Sequence, residues 1–207
     1  RQKTRPLLEI FRGLPDNEEL ASIGGASREG AGRLVEDVAV AAVEVPRRRT
    51  GEVLYSFLQR SGLLGRMARE ASAEVPAMVQ LIDGSWEGDE GLQRARALAS
   101  AYLEHWERNH GVLLLRNQAA DRGDKVFLKL RKQALEPLID KLSALIAESQ
   151  RQGRVAGDLH PYLAASALVS ILEKLSAYVQ TLRHFNADRE DLVRTCARMI
   201  NTTVTGR

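Results

Sequence analysis

Apolar residues recur at three- and four-residue steps through most of the chain beyond residue 60, the period of an amphipathic helix. The clearest case is Lys125–Gln152. There Phe127, Leu130, Ala134, Leu138, Leu142 and Leu145 share one face, and Gly153 follows as a stop. Pro137 removes a backbone donor from that helix and is expected to bend it. Leu92, Ala95, Ala99, Tyr102, Leu103 and Trp106 predict a helix over Glu90–Asn109, ended by Asn109-His110-Gly111. A short apolar helix over Val112–Ala120 is expected next, before the turn Asp121-Arg122-Gly123-Asp124.

Two further helices complete the pattern. One of about 22 residues starts at Asp158-Leu159-His160-Pro161; its stretch Tyr162–Leu172 is apolar nearly all round, which implies burial on two sides. The last carries Leu192, Val193, Cys196, Ala197, Met199 and Ile200, with Asn186 or Asp188 as its cap. Upstream, Ser61 is the expected N-cap of a helix reaching about Asp83 and kinked at Pro76, and Asp83–Gly88 reads as a loop.

The first sixty residues carry weaker signals. Pro6–Arg12 reads as a short helix broken at Gly13-Leu14-Pro15-Asp16, and Gly24, Gly25, Gly30 and Gly32 punctuate the next stretch. Leu34–Val45 suits a strand or a helix. Helix is expected, because nothing else in the chain offers a strand partner. Thr50–Leu58 reads as a short helix.

Composition agrees with an all-α chain. Hydrophobic content is 44% but aromatics are only 5%, so the core must be mostly Leu, Ala and Val. A single cysteine, Cys196, excludes an intramolecular disulfide, and an intracellular, cytoplasmic location is expected. No apolar run is long enough for a membrane span, and no charged-then-apolar leader opens the sequence. The net charge of +3 comes from 30 basic and 27 acidic residues, too even a balance to imply nucleic-acid binding by itself. Location matters more than total charge: Arg47-Arg48-Arg49 is the one compact basic run.

Candidate chemistry is sparse. No two of the four histidines fall at i, i+4 and Cys196 has no Cys neighbour, so no metal or cofactor is expected. No nucleophile elbow or phosphate loop is visible, and no catalytic site is expected. Arg47, Arg48, Arg49 and Thr50 can meet phosphates at the entry to a helix, or simply form a solvated turn after Pro46. Met78, Tyr102, Trp106 and Phe127 are candidates for lining a small-molecule pocket, or ordinary core. Asn117, in the apolar stretch Leu113-Leu114-Leu115-Arg116-Asn117, needs a hydrogen-bond partner in the protein or in a ligand. Leu168, Leu172, Leu175 and Val179, with Val193, Ala197 and Ile200, offer an apolar surplus suited to a self-complementary dimer interface.

A family resemblance lies in these residues. The stretch from Tyr102-Leu103-Glu104-His105-Trp106 through Leu113-Leu114-Leu115-Arg116-Asn117 to Val126-Phe127 resembles the middle of actinobacterial-type effector domains of TetR-family transcriptional regulators. Gln152-Gly153-Arg154-Val155, Asp158-Leu159-His160-Pro161 and Glu190–Ile200 are similar to the family's final helices. Residues Gly51–Leu64 can be laid on the end of its helix-turn-helix: Gly51, Phe57, Leu63 and Leu64 match. Glu52 stands where the family has a phosphate-contacting Thr, and Tyr55 is displaced by one from the family's Tyr.

The resemblance implies a small N-terminal, helix-turn-helix-like helical lobe over 1–60 and a larger helical ligand-binding and dimerisation domain over 61–207. It implies a homodimer controlled by a small apolar or amphipathic effector, with operator DNA contacted through Arg47, Arg48, Arg49, Thr50 and Tyr55. A second reading stays open beside it: an effector-sensing and dimerisation module whose N-terminal lobe no longer reads DNA, such as half of a tandem-repeat regulator.

Overall fold

The structure, a computed structural model, describes residues 61–182, 184 and 186–206, together with Arg33, Glu36, Asp37, Ser56, Leu58 and Arg60. Arg47, Arg48, Arg49, Thr50 and Tyr55 lie outside the described residues, as do the expected helix Pro6–Arg12 and most of those over Leu34–Val45 and Thr50–Leu58. The chain divides into two compact units, Arg1–Arg66 and Met67–Arg207. Among the described residues every regular element is helical and there is no strand, so the fold is all-α.

Helix α1 spans Leu63–Ser72 and is preceded by Ser61, whose hydroxyl accepts from the Leu63 N–H. It does not run on to Asp83. Pro76 sits in the first turn of a separate helix α2, Val75–Val79, where a missing N–H is tolerated, so the chain breaks before the proline instead of kinking at it. A single 3-10 turn, Gln80–Ile82, follows. The indole of Trp86 donates to the Ile82 carbonyl at 2.9 Å and closes the loop beyond.

Helix α3 runs Gly88–Asp121, joining two stretches that the sequence pattern separates. The break expected at Asn109 survives as one non-helical residue (φ −114°, ψ 15°). The Asn109 amide donates to the His105 carbonyl at 3.1 Å, and so supplies a partner that the bent backbone would otherwise leave missing. Helix α4, Lys125–Arg151, starts at Asp124, whose carboxylate accepts from Val126 N and Phe127 N, and it continues through Pro137. Helix α5, Pro161–Ala177, ends at Tyr178, earlier than the pattern predicts, and a short α6 follows over Val179–Leu182. Helix α7, Arg189–Thr205, opens with a reciprocal cap between Asp188 and Asp191.

In the second unit α3 packs against α4, α5 and α7, while α4 also packs against α2 and α5. The core lies between them, built from residues such as Leu98, Leu103, Leu138, Leu142, Ile146 and Val204. Leu168, Leu172, Val179, Val193, Ala197 and Ile200 are buried in this same core, and Leu175 is half-buried against it. The seven positions expected at an intermolecular seam are therefore used within one protomer. Of the apolar side chains that α5 and its end turn to solvent, Leu163, Ala167, Ile171 and Tyr178 follow in steps that keep them on one face, and Tyr162 is exposed beside them. Met199 is their exposed counterpart on α7.

At Gly91 the start of α3 leaves no room for a side chain. A Cβ there would lie 2.7 Å from the Asn201 Oδ1 of α7 and 2.7 Å from the Trp86 carbonyl oxygen. Ala is otherwise the better helix former by about 1 kcal/mol, so propensity and packing predict opposite signs for Gly91→Ala. The backbone carbonyl cannot yield, and packing wins. Urea denaturation is expected to show Gly91→Ala less stable than the parent by about 1–3 kcal/mol.

Candidate functional site

Three charged side chains meet where α3, α4 and α5 converge. Arg116 comes from the second half of α3, beyond the Asn109 bend, and lies three residues past Leu113 on that helix's buried face. Glu173 lies one position past Leu172 on the buried face of α5. Both are almost fully buried, at 2% and 3% exposure, which is costly for a charge without a partner. The partners are present. Arg116 Nη2 donates to Glu173 Oε1 at 3.0 Å, and Arg131 Nη2, from α4, donates to Glu173 Oε2 at 2.6 Å.

The other two nitrogens of Arg116 are also placed. Its Nε donates to the Asn117 side-chain oxygen at 3.0 Å, and its Nη1 reaches the Ser72 hydroxyl of α1 at 3.4 Å. Ser72 in turn donates to the Ala68 carbonyl at 2.7 Å. Arg131 donates with its other nitrogen to Asp121, at 3.1 Å on the solvent side. Burial pulls the Arg116 pKa down, opposed by Glu173, yet a guanidinium stays charged at any ordinary pH. Burial alone would lower Arg131 as well, but Glu173 and Asp121 hold it above its usual value. Burial drives the Tyr102 phenol far upward, helped by the Glu173 carboxylate, so it stays neutral.

A cleft of about 320 Å³ borders this cluster. Arg131 and Glu173 form one side of it, Asn117, Lys174 and Ser170 contribute polar groups, and Trp106, Leu114 and Tyr178 contribute apolar walls. The size falls within the range of small-molecule sites. The end of α5 beside it is pinned by His110, whose Nε2–H donates to the Ala177 carbonyl at 3.0 Å. Trp106 and Asn117, both expected at a ligand pocket, thus lie along one cleft. Met78 lines a different, more open groove with Glu74, Ala77 and Arg108. Tyr102 and Phe127 are buried and border neither. The five residues are not brought together, because α2 lies against the first half of α3 and Asn117 belongs to the second half, past the bend.

Beside that groove His105 donates from Nδ1 to Glu74 at 3.0 Å, and Arg108 donates to the same oxygen at 2.8 Å. Arg108, then His105, lower the Glu74 pKa. Burial lowers that of His105 despite Glu74, which keeps the imidazole neutral. Among the described residues no three His, Cys, Asp or Glu side chains gather as metal ligands, and no helix is long and apolar enough to cross a membrane. The buried Cys196 thiol is pushed up to about 11 by burial, which leaves it protonated and poorly nucleophilic near neutrality.

Residues 78–207 match the family described as Tetracyclin repressor-like, C-terminal domain. The match covers more than half of the chain. This protein belongs to that family. Its second unit is therefore a TetR-type C-terminal domain, and members of the family are regulators rather than enzymes. Neither a curated protein nor a solved structure gives a significant match.

Within the TetR-type domain, Arg116, Arg131 and Glu173 are the residues that sequence reasoning passed over. A signal was available. Arg116 follows three leucines and Glu173 follows Ile171-Leu172, and each falls in helical phase with buried neighbours, so each needed an opposite charge. Replacing Glu173 with Leu would leave Arg116 buried without its counter-charge. Chemical denaturation is expected to show Glu173→Leu destabilised by about 3–5 kcal/mol, with Glu173→Gln, which keeps one acceptor, losing less.

Proposed function

We propose that the protein is a dimeric transcriptional regulator whose C-terminal domain takes a small amphipathic effector in the α3–α4–α5 cleft. What carries this reading is the buried Arg116–Glu173–Arg131 cluster at the edge of that cleft, in a chain of this family. A cluster of this kind has discrete arrangements, because Arg116 and Glu173 cannot part without leaving a charge unpaired in the core, while Arg131 can trade partners at the rim. A ligand that engages Arg131 biases Glu173, and through it Arg116 and Ser72 on α1. Helix α1 lies nearest in sequence to the N-terminal residues, so its position is the output. Such coupling is allosteric in the strict sense, with two sites and two states that the effector and DNA favour differently.

The dimer is formed through the solvent face of α5, with Leu163, Ala167, Ile171 and Tyr178, and through Met199 on α7. A second copy is the occupant that suits this face, since an isologous contact pairs a patch with itself. Tyr178 belongs to both the face and the cleft, which brings the effector close to the subunit boundary. Leu172→Glu would test folding here, because Leu172 is buried in its own protomer. Leu163→Glu tests association: Leu163 is 63% exposed, so the variant should fold. Sedimentation at micromolar concentration is expected to show it shifted to monomer with its helical content unchanged; a variant that stays dimeric removes this face from the interface.

DNA is contacted in this reading through Arg47, Arg48, Arg49, Thr50 and Tyr55. Glu52, in place of a phosphate-contacting Thr, favours the second reading of a sensor that no longer reads DNA, since a carboxylate repels phosphate. Selection of bound fragments from genomic DNA at two salt concentrations separates the two. The regulator enriches particular fragments, and replacing Arg47, Arg48 and Arg49 with Ala lowers the salt slope by up to about 0.9 per lost contact. A protein that enriches nothing at either salt, with dimer and effector binding intact, is the sensor.

A further inference from the structure

We propose that the cleft between α3, α4 and α5 selects an anionic effector, a small monocarboxylate with a short apolar tail. This rests on the reading of that cleft as the effector site and specifies its chemistry.

The charges at the cleft do not cancel. Arg131 and Lys174 in the lining balance Glu173 and Asp121, and the buried Arg116 directly behind Glu173 leaves one positive charge in excess. The acceptors are also largely committed. Both oxygens of Glu173 already receive guanidinium hydrogens, and Asp121 receives one from Arg131. A cationic ligand would therefore enter beside Arg131 and Lys174 and find as acceptors only the neutral oxygens of Gln118 and Ser170 and the second oxygen of Asp121 at the rim.

Donors are in the opposite position. Lys174 lies 4.4 Å above the Tyr178 ring and forms no ion pair with a carboxylate of the described residues. Arg116 Nε can only donate, so the Asn117 atom facing it is the oxygen, and the Asn117 amide nitrogen is left for the cleft that Asn117 lines. A carboxylate can take hydrogens from Lys174, Asn117 and Arg131 together, and charge-assisted bonds of this kind are the strong ones.

The exchange at Arg131 costs little. Asp121 is 70% exposed, so a ligand carboxylate that displaces it returns Asp121 to water and buries no unpaired charge. Glu173 keeps Arg116 throughout. On the other walls Trp106, Leu114 and Tyr178 suit an aliphatic tail, and about 320 Å³ limits its length.

The probe set is octanoate, 1-octanol and octylammonium, titrated calorimetrically into the full-length parent and two variants. Lys174→Glu reverses the unpaired charge. Ser170→Trp places bulk at the cleft from an exposed position, whatever the ligand's charge. Circular dichroism and thermal melting check that both variants fold, and sedimentation that both keep the parent's oligomeric state, since Ser170 and Lys174 lie on or beside the solvent face of α5. The parent is expected to bind octanoate at least about tenfold more tightly than either other probe. Lys174→Glu should weaken octanoate by about tenfold or more, and Ser170→Trp should abolish binding. If octanol or octylammonium binds as tightly as octanoate and Ser170→Trp blocks it, anion selectivity is overturned while the effector cleft stands. Octanoate binding that survives Ser170→Trp overturns the proposal by placing the ligand elsewhere. If no probe binds, both the proposal and the effector reading of the cleft fall.

Discussion

One carboxylate shared by two guanidiniums fixes the geometry of the C-terminal domain. Helices α3, α4 and α5 each contribute a single member to the Glu173 cluster, and neither α3 nor α5 can rotate on its axis without leaving its charge unpaired in an apolar interior. Hydrophobic packing around Leu138, Leu142 and Leu172 supplies most of the attraction between these helices, but it is non-directional and tolerates small slides. The hydrogen bonds at Glu173 are directional, so they select one register from several that the leucines alone would accept. The Asn109 bend belongs to the same constraint, since it sets the phase in which Arg116 follows Trp106 along α3.

Much of this fold was legible in the sequence because helical periodicity and chain punctuation are local signals. Helix α4 is read from a few consecutive residues and the structure has it where those residues put it, and of the two caps offered for α7, Asn186 and Asp188, it uses Asp188. The misjudged elements depend on context. Pro76 kinks a helix or starts one, and the choice rests on what the preceding turn can pack against. Tyr178 ends α5 early although the apolar pattern runs on.

The site was less legible for a related reason. Asn117 and Trp106 announce themselves as unusual residues, but a pocket is defined by which helices lie together, and periodicity does not give that. Met78 and Asn117 are both plausible lining residues and sit at different hollows. Helix α5 shows the same limit. Its apolar surplus was evident, yet the sequence offers two apolar faces of similar strength. Leu168 and Leu172 went to the protomer's own core, and Leu163 and Ile171 were left outside.

The cluster also shapes how such a sequence can drift. Glu173 replaced alone strands the buried Arg116 guanidinium, and once Arg131 is gone loss of Arg116 strands Glu173, whereas a set of well-packed apolar residues in place of all three can be close to neutral. The two solutions are therefore separated by a fitness valley that single substitutions must cross. Lineages holding the buried Arg116–Glu173 pair are expected to keep both members, and those lacking it to have lost the two together. Substitution that leaves no charge stranded in the core is then confined to the rim, at Asp121, Ser170 and Lys174.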